Sequence, residues 1–297
     1  MRSVVEGAIS LRVTSLPRTS LPLPNDTLSS LLGLVSGRRV AVLTGAGCST
    51  ESGIPDYRGP ETRRRARDPL KYQAFLREPE ARRRYWARSV LGWPRIASAR
   101  PNAAHHALAR MQRTGAIHGL ITQNVDRLHR AAGSDAIELH GALADVRCMD
   151  CGAMEDREAL QRRLLELNPG WHTRHAELAP DGDADLPSEV VASFRVADCL
   201  ACGGALKPHV VFFGENVPKE RVEHAYAMVE SADALLVVGS SLAVFSGFRF
   251  VKRAKERGLA VGIVNLGESR GDAHADVIVQ ARAGDALPWL ADALDGR

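Results

Sequence analysis

Short unbroken apolar runs separated by longer polar segments set the pattern of this chain. The sharpest is Val40-Ala41-Val42-Leu43, which runs straight into Thr44-Gly45-Ala46-Gly47-Cys48-Ser49. A few consecutive apolar residues bounded by glycine read as a strand buried on both faces, the kind found in parallel sheets. Similar runs recur at 117–122, 136–139, 234–238, 260–264 and 277–279, with helical patterns between several of them. That alternation predicts an α/β fold built on a doubly wound parallel, Rossmann-like sheet. Residues 60–115 interrupt it, because they carry Pro69, Pro79, Pro94 and Pro101 and no strand pattern; they read as a helical insertion. From His140 to Val211 the pattern lapses into polar sequence bracketed by two cysteine pairs, which marks a second small module. The amino-terminal residues, with Pro17, Pro22 and Pro24, read as a loose arm leading into a helix near Leu28 to Ser36. The expected division is a flexible arm over 1–30, a nucleotide-binding sheet domain from 31–60, 116–140 and 211–297, a helical insertion over 61–115 and a metal module over 141–210. The last two together form the smaller domain.

Composition narrows the class. With 297 residues, 45% hydrophobic and 25% charged, the chain can bury a sizeable core and is neither disordered nor collagenous. No apolar run approaches the ~20 residues that span a bilayer, which argues against a membrane protein. The net charge of +4 conceals a cluster: residues 61–100 hold 12 basic and 4 acidic side chains. Such a cluster is either a footprint for phosphates or acidic partners or a solvated, arginine-rich helical face. Glu6 and Asp26 are the only acids in the first 30 residues. A mitochondrial transit peptide is therefore an alternative to the cytoplasmic location expected here.

Four of the five cysteines form Cys148-x-x-Cys151 and Cys199-x-x-Cys202, each pair followed by a glycine, Gly152 or Gly203. Two such knuckles donate four thiolates to a closed, tetrahedral, structural zinc. The 47 residues between them require an insertion that loops out from the ribbon. Cys48, the fifth, is either a small packing residue or an oxidation-sensitive thiol. Gly45 and Gly47 would let the backbone approach a pyrophosphate at the start of a following helix. Thr50, however, stands where a dehydrogenase fingerprint needs its third glycine, and no acidic residue closes a second strand ~20 residues on, so hydride transfer is disfavoured. Thr122-Gln123-Asn124-Val125-Asp126 falls at the carboxyl end of a strand, suited to hydrogen bonding a sugar or amide, or to capping a helix through Asn124 or Asp126. Leu139-His140-Gly141 offers a general base or a structural histidine.

In this order the segments 45–58, 123–126 and 139–141, the cysteine knuckles, Gly239-Ser240-Ser241 and Val264-Asn265-Leu266 resemble the sirtuin family over about residues 35–290. Segments 181–186 and 212–218 look most like its class II branch. The resemblance implies an NAD-dependent protein lysine deacylase that passes the acyl group to ADP-ribose and releases nicotinamide, with NAD as co-substrate and one structural zinc on Cys148, Cys151, Cys199 and Cys202. By similarity, Gly45, Ala46, Gly47 and Ser49 hold the pyrophosphate. Ile54 and Asp126 line the nicotinamide pocket, and Pro55, Asp56, Tyr57 and Arg58 belong to the cofactor loop. Gln123 and Asn124 position the ribose and a water, Gly239, Ser240, Ser241, Asn265 and Leu266 address phosphate and adenosine ribose, and Ala283 meets the adenine. His140 is the implied base, with Asn124 the second catalytic residue. The substrate peptide would add as a strand between Phe213-Gly214-Glu215 and the segment ending in Val244-Phe245. Tyr85 and Arg88 match a Tyr-x-x-Arg pair of members that remove acidic acyl groups. The expected partners are acylated-lysine proteins bound by a monomer, without nucleic acid or membrane. Mono-ADP-ribosyl transfer to protein and, more remotely, a zinc-ribbon nucleic-acid module are the alternatives.

Overall fold

The computed structural model describes residues 25–56, 70–173 and 186–296. Its strands in chain order are β1 (Val40–Thr44), β2 (Gly119–Thr122), β3 (Ala136–Glu138), β4 (Gly141–Cys148), β5 (Met154–Asp156), β6 (Leu206–Val210), β7 (Ala234–Val238), β8 (Ala260–Asn265) and β9 (Val277–Gln280). The helices are α1 (Asn25–Val35), α2 (Tyr72–Arg77), α3 (Pro79–Ser98), α4 (Ala103–Arg113), α5 (Leu128–Ala131), α6 (Arg157–Leu167), α7 (Ser188–Ala192), α8 (Lys219–Glu230), α9 (Phe245–Glu256) and α10 (Ala283–Asp295). Among the described residues, no helix is long and apolar enough to cross a membrane.

Each apolar run identified above contains a strand of one six-stranded parallel sheet, ordered β3-β2-β1-β7-β8-β9. The strands alternate their side chains between two cores, as a period of two requires. Val40 and Val42 join the cluster under α1, α4 and α10, while Ala41 and Leu43 join the one under α8 and α9. The chain leaves β1 toward β2 on one side and later returns to β7 on the other. This strand-order reversal opens a crevice at the carboxyl ends of the strands.

The smaller unit has its own core. An antiparallel sheet, β5-β4-β6, packs with Leu160 and Leu164 of α6 and with Trp86, Ala87 and Val90 of α3. Trp86 Nε1 donates to Leu206 O at 3.2 Å and Trp171 Nε1 to Ala87 O at 3.0 Å, so the insertion and the cysteine module are one packed body. The residues between the knuckles supply α6 and α7, which accounts for the long spacing.

Three details depart from the sequence expectation. α1 begins at Asn25, ahead of the expected start, and residues 1–24 lie outside the described residues. α4 buries Ala104, Ala107, Leu108 and Met111 in the main core and pairs Arg110 with Asp292 and Asp295 of α10, so it belongs to the sheet domain and not to the insertion. The polar stretch after His140 opens with an eight-residue strand, β4, whose pairing shifts register between Gly141 and Val146.

Asn102 ties α4 to the turn after β1. Its Oδ1 accepts from the N–H groups of Ala104 and His105, and its Nδ2 donates to Cys48 O at 2.9 Å and Ser52 Oγ at 3.0 Å. Asn102→Ala removes both functions and is expected to cost about 1–3 kcal/mol, an N-cap plus a tertiary hydrogen bond. Asn102→Asp keeps the cap but cannot donate, so urea unfolding should place it between wild type and Asn102→Ala. Equal midpoints for all three proteins would contradict this account.

Candidate active site and zinc centre

Register places the site. Thr44 is aligned with Thr122 on one side and with Val238 on the other, and Val238 with Val264. The residues that follow, beginning with Gly45, Gln123 and Gly239, therefore emerge side by side, and Asn265 ends β8 beside them. They line a cavity of about 740 Å³ together with Ala46, Gly47, Ser49, Ile54, Pro55, Asp56, Asn124, Asp126, His140, Ser240, Ser241 and Leu266.

The turn after β1 differs from the expected helix start. It consists of two three-residue 3₁₀ turns, Ala46–Cys48 and Thr50–Ser52. The N–H groups of Gly45, Gly47, Cys48 and Ser49 already donate to Val238, Gly239, Gly45 and Ala46 carbonyls. The glycines serve close packing: a Cβ on Gly45 would stand 2.7 Å from Ser240 Cβ, and one on Gly47 would stand 2.9 Å from Gly239 O. The turn and the 239–240 loop are thereby pressed into one floor.

A polar network joins that floor to the loop after β2. Asn124 Nδ2 donates to Gly45 O and to Ser49 Oγ, both at 3.0 Å, and Ser49 Oγ donates to Asp126 Oδ2 at 2.7 Å. Gln123 Nε2 donates to Ser240 Oγ at 2.8 Å. Asp126 also accepts from Leu128 N at 2.9 Å, so it meets the first turn of α5 while facing the cavity. Burial raises the Asp126 pKa, and the Leu128 and Ser49 hydrogen bonds pull against that rise.

His140 follows β3 at the same edge. Its Nδ1 lies 2.9 Å from Gln123 O, and since a carbonyl only accepts, Nδ1 carries the proton. Nε2 is left as an acceptor, 2.8 Å from Ser246 Oγ. Burial lowers the His140 pKa, opposed by the Gln123 bond and aided by Arg221 and Arg249, so the ring is neutral near pH 7.

At the mouth stand exposed apolar side chains, Phe213, Val244 and Phe245, at 40%, 38% and 54% exposure. Large apolar groups left in water beside a cavity mark a surface that binds something. The 210–215 segment is fixed by Lys207, whose Nζ pairs with Glu215 at 2.9 Å and lies 4.6 Å from the Phe212 ring centroid. Phe213 O accepts from Tyr72 N at 2.9 Å, and Gly214 O from Gln73 Nε2 at 3.1 Å.

Two of the expected site residues do not line the cavity. Ala283 is buried in the main core at the start of α10 and does not line the cavity, whose wall on that side is Asn265, Leu266, Gly267 and Glu268. Tyr85 lines the cavity but Arg88 does not. One and two helical turns on from Tyr85, Ser89 and Trp93 line it instead, with Arg157 of α6. Tyr57 and Arg58 lie outside the described residues. Ser246, Arg249 and Arg157 escaped the sequence reading, since nothing local distinguishes a serine or arginine on an amphipathic helix from a solvated one.

The four knuckle thiols lie within 4.8 Å of one another. Cys148 and Cys202 Sγ are 3.5 Å apart, and Cys151 and Cys199 Sγ 3.8 Å. Tetrahedral zinc with Zn–S bonds of ~2.3 Å requires sulfur separations of ~3.8 Å, so the four thiols fit the ion. Each knuckle turns at a left-handed glycine, Gly152 at φ 76° and Gly203 at φ 74°. Their N–H groups donate to Cys148 O and Cys199 O, giving the two halves matching turns. Cys48 is fully buried beside His105 and His129, and burial pushes its thiol pKa up. It is a packing thiol and not a reactive thiolate.

A family model described as Sir2 family matches residues 45–246. An NAD-dependent protein deacetylase of Xanthomonas campestris pv. campestris (strain 8004) is 54% identical over 254 residues, covering 85% of this chain and 87% of its own. NAD-dependent protein deacetylase 1 of Streptomyces coelicolor is 52% identical over 279 residues, covering 94% and 93%. A solved Sir2 complex with p53 peptide and NAD+ superposes with a TM-score of 0.70 at 29% identity, covering 91% of this chain and 99% of that one.

Because a closed cysteine site adds its binding energy to folding, Cys151→Ser and Cys199→Ser should yield aggregated or insoluble protein rather than a folded protein with a catalytic defect. Metal analysis of the wild type should return one zinc per chain. A zinc-free preparation with native stability and activity would refute the assignment.

Proposed function

The chain belongs to the Sir2 family, and we propose that its cavity is where NAD meets an acylated lysine, with His140 as the base. The protein is an NAD-dependent protein deacylase acting on acylated proteins. One observation carries the residue assignment: the Gln123 carbonyl fixes the proton on His140 Nδ1, so that Nε2 offers a lone pair inside a cavity shared with the glycine turn. NAD, consumed as co-substrate, supplies the ADP-ribose that takes the acyl group and gives up nicotinamide.

Around His140 the other residues divide by position. Gly45, Ala46, Gly47, Ser240, Ser241, Asn265 and Leu266 form the wall for phosphates and adenosine. The Gln123, Asn124 and Asp126 loop, held by Ser49 and Ser240, faces the nicotinamide end, with Ile54, Pro55 and Asp56 opposite. Nε2 takes the proton of a ribose hydroxyl, for which Ser246 Oγ, its present partner, must turn away and free the lone pair. Phe213, Gly214 and Glu215 on one side and Val244 and Phe245 on the other frame the entering peptide, which pairs through backbone groups and gains apolar contact from Phe213 and Phe245.

The proposal includes a cytoplasmic monomer with no nucleic-acid partner. A zinc-thiolate centre suits a reducing compartment. Arginines of the basic cluster are engaged within the chain: Arg82 donates to Phe75 and Leu76 carbonyls, and Arg83 pairs with Glu80 at 2.6 Å.

His140→Ala should lower deacylation by roughly 10²–10⁴-fold while leaving NAD affinity within a few-fold of wild type. In the wild type, the lowered pKa of His140 places the acid limb of kcat/KM below the ordinary histidine value of about 6.5, since the base stays deprotonated to lower pH. Turnover by His140→Ala close to wild type, or an acid limb well above pH 7, would remove His140 from this role.

A further inference from the structure

The core under the turn after β1 holds three side chains that neither the deacylase chemistry nor the zinc centre uses. Cys48, His105 and His129 are 0%, 0% and 2% exposed, and the thiol and one ring nitrogen of each histidine lie within 4.8 Å of one another. They come from three separate segments: the turn itself, the first turn of α4 and the second residue of α5. Each histidine has one nitrogen tied and one free. His105 Nδ1 lies 2.9 Å from Asn102 Oδ1, closer than to Asn102 N at 3.3 Å. Because Asn102 Nδ2 donates to Cys48 O, Oδ1 is the accepting end of that amide, so His105 Nδ1 carries the proton and Nε2 keeps a lone pair. His129 Nε2 lies 2.9 Å from Thr44 Oγ1, which can accept its proton. His105 Nε2 and His129 Nδ1 are both buried with no hydrogen-bond partner among the described residues.

A buried ring nitrogen without a partner is costly, and two of them beside one thiol make a ligand set. Asn102 Oδ1 and Thr44 Oγ1 sit behind the two rings, as oxygens do behind metal-binding histidines, where they fix ring orientation and proton position. The set offers one sulfur and two nitrogens, and among the described residues no further cysteine, histidine or carboxylate joins it. Structural zinc takes four donors, and a divalent ion on a single thiolate would leave net positive charge in a dry core. A soft monovalent ion suits a thiolate and two imidazoles without either objection. In the metal-free chain Cys48 is a protonated packing thiol, kept so by burial and by Asp126 and Glu51 nearby. When copper(I) enters, the S–H bond breaks, a Cu–S bond forms, the proton passes to solvent and the copper stays monovalent. One positive charge replaces another, so the core keeps its charge.

We propose that Cys48 Sγ, His105 Nε2 and His129 Nδ1 form a buried copper(I) site, separate from the zinc centre, that clamps the turn after β1 to α4 and α5. Planar three-coordination with metal–ligand bonds of ~2.0–2.3 Å separates the donors by ~3.5–4 Å, so small side-chain movements close the set on the ion. Gly47 and Ser49, on either side of Cys48, line the cavity, and the copper would therefore stiffen its floor.

The test titrates the zinc-loaded full chain with copper(I), kept reduced in the absence of oxygen, against the chelator bicinchoninate while zinc release is followed. The wild type should take up one equivalent of copper with its zinc retained, and should unfold at a higher temperature for it. Cys48→Ala should lose both the copper and the thermal shift while keeping its zinc. Thr44→Val, which removes only the oxygen behind His129, should weaken copper binding by roughly 10- to 100-fold. X-ray absorption at the copper edge of the wild type should show one sulfur and two nitrogen donors, a reading that needs no variant to fold. Copper uptake unchanged in Cys48→Ala, uptake only with release of zinc, or an all-sulfur copper shell would put the metal on the cysteine knuckles and overturn the proposal. Failure of the wild type to take up copper(I) overturns it as well.

Discussion

The alignment of parallel strand ends is the constraint from which the rest of the molecule follows. Because β1, β2, β7 and β8 run the same way in fixed register, Thr44, Thr122, Val238 and Val264 stand in one row, and whatever the chain encodes next is delivered to one edge. The same register sorts Val40 and Val42 from Ala41 and Leu43 into opposite cores. A slip of one residue would turn every strand side chain to the wrong face and carry the site residues with it. Core packing and site geometry are therefore one specification.

Within that edge, contact between loops counts for more than any single loop. A Cβ on Gly239 would run into the backbone of Gly47 and Cys48, and one on Gly247 into the Gln123 amide. Glycine is required at these places because the loops after β1, β2 and β7 and the first turn of α9 close on one another, and that closeness lets Asn124 reach Gly45 O and Gln123 reach Ser240. The zinc centre contributes at a distance. It staples the two knuckles of the small sheet, whose core grips α3, and α3 carries Tyr85, Ser89 and Trp93 to the cavity.

The sequence made the large sheet legible because each of its strands is an unbroken apolar run, and the motifs at the strand ends carried most of the cavity wall. What stayed hidden has physical reasons. β4 lost its alternation at the register shift between Gly141 and Val146, and β5 spans only three residues. The face of α4 was written in Ala104, Ala107, Leu108 and Met111, at helical spacing, but the prolines around it suggested one continuous insertion. Ala283 and Arg88 were carried by motif position alone, whereas the fold buries Ala283 in the main core and turns Tyr85, Ser89 and Trp93 of α3 to the cavity. Arg157 has no local mark at all: only the folded chain reveals that indoles, and not water, surround it.

Electrostatics completes the account of the cavity. Arg221 and Arg249 disfavour the imidazolium form of His140, which keeps the base ready and adds positive potential around it. Arg249 has a buried Nε without a hydrogen-bond partner, and Arg157 donates only to neutral groups, with Glu158 and Asp156 acting on its charge from a distance. Asp126, the buried carboxyl on the opposite loop, is spoken for by Ser49 and Leu128 and does not neutralise them. NAD, the co-substrate, carries negative charge of its own in its pyrophosphate. Positive charge around a buried, neutral base thus serves two ends at once, since it draws an anionic co-substrate toward the cavity and keeps His140 in its proton-accepting form.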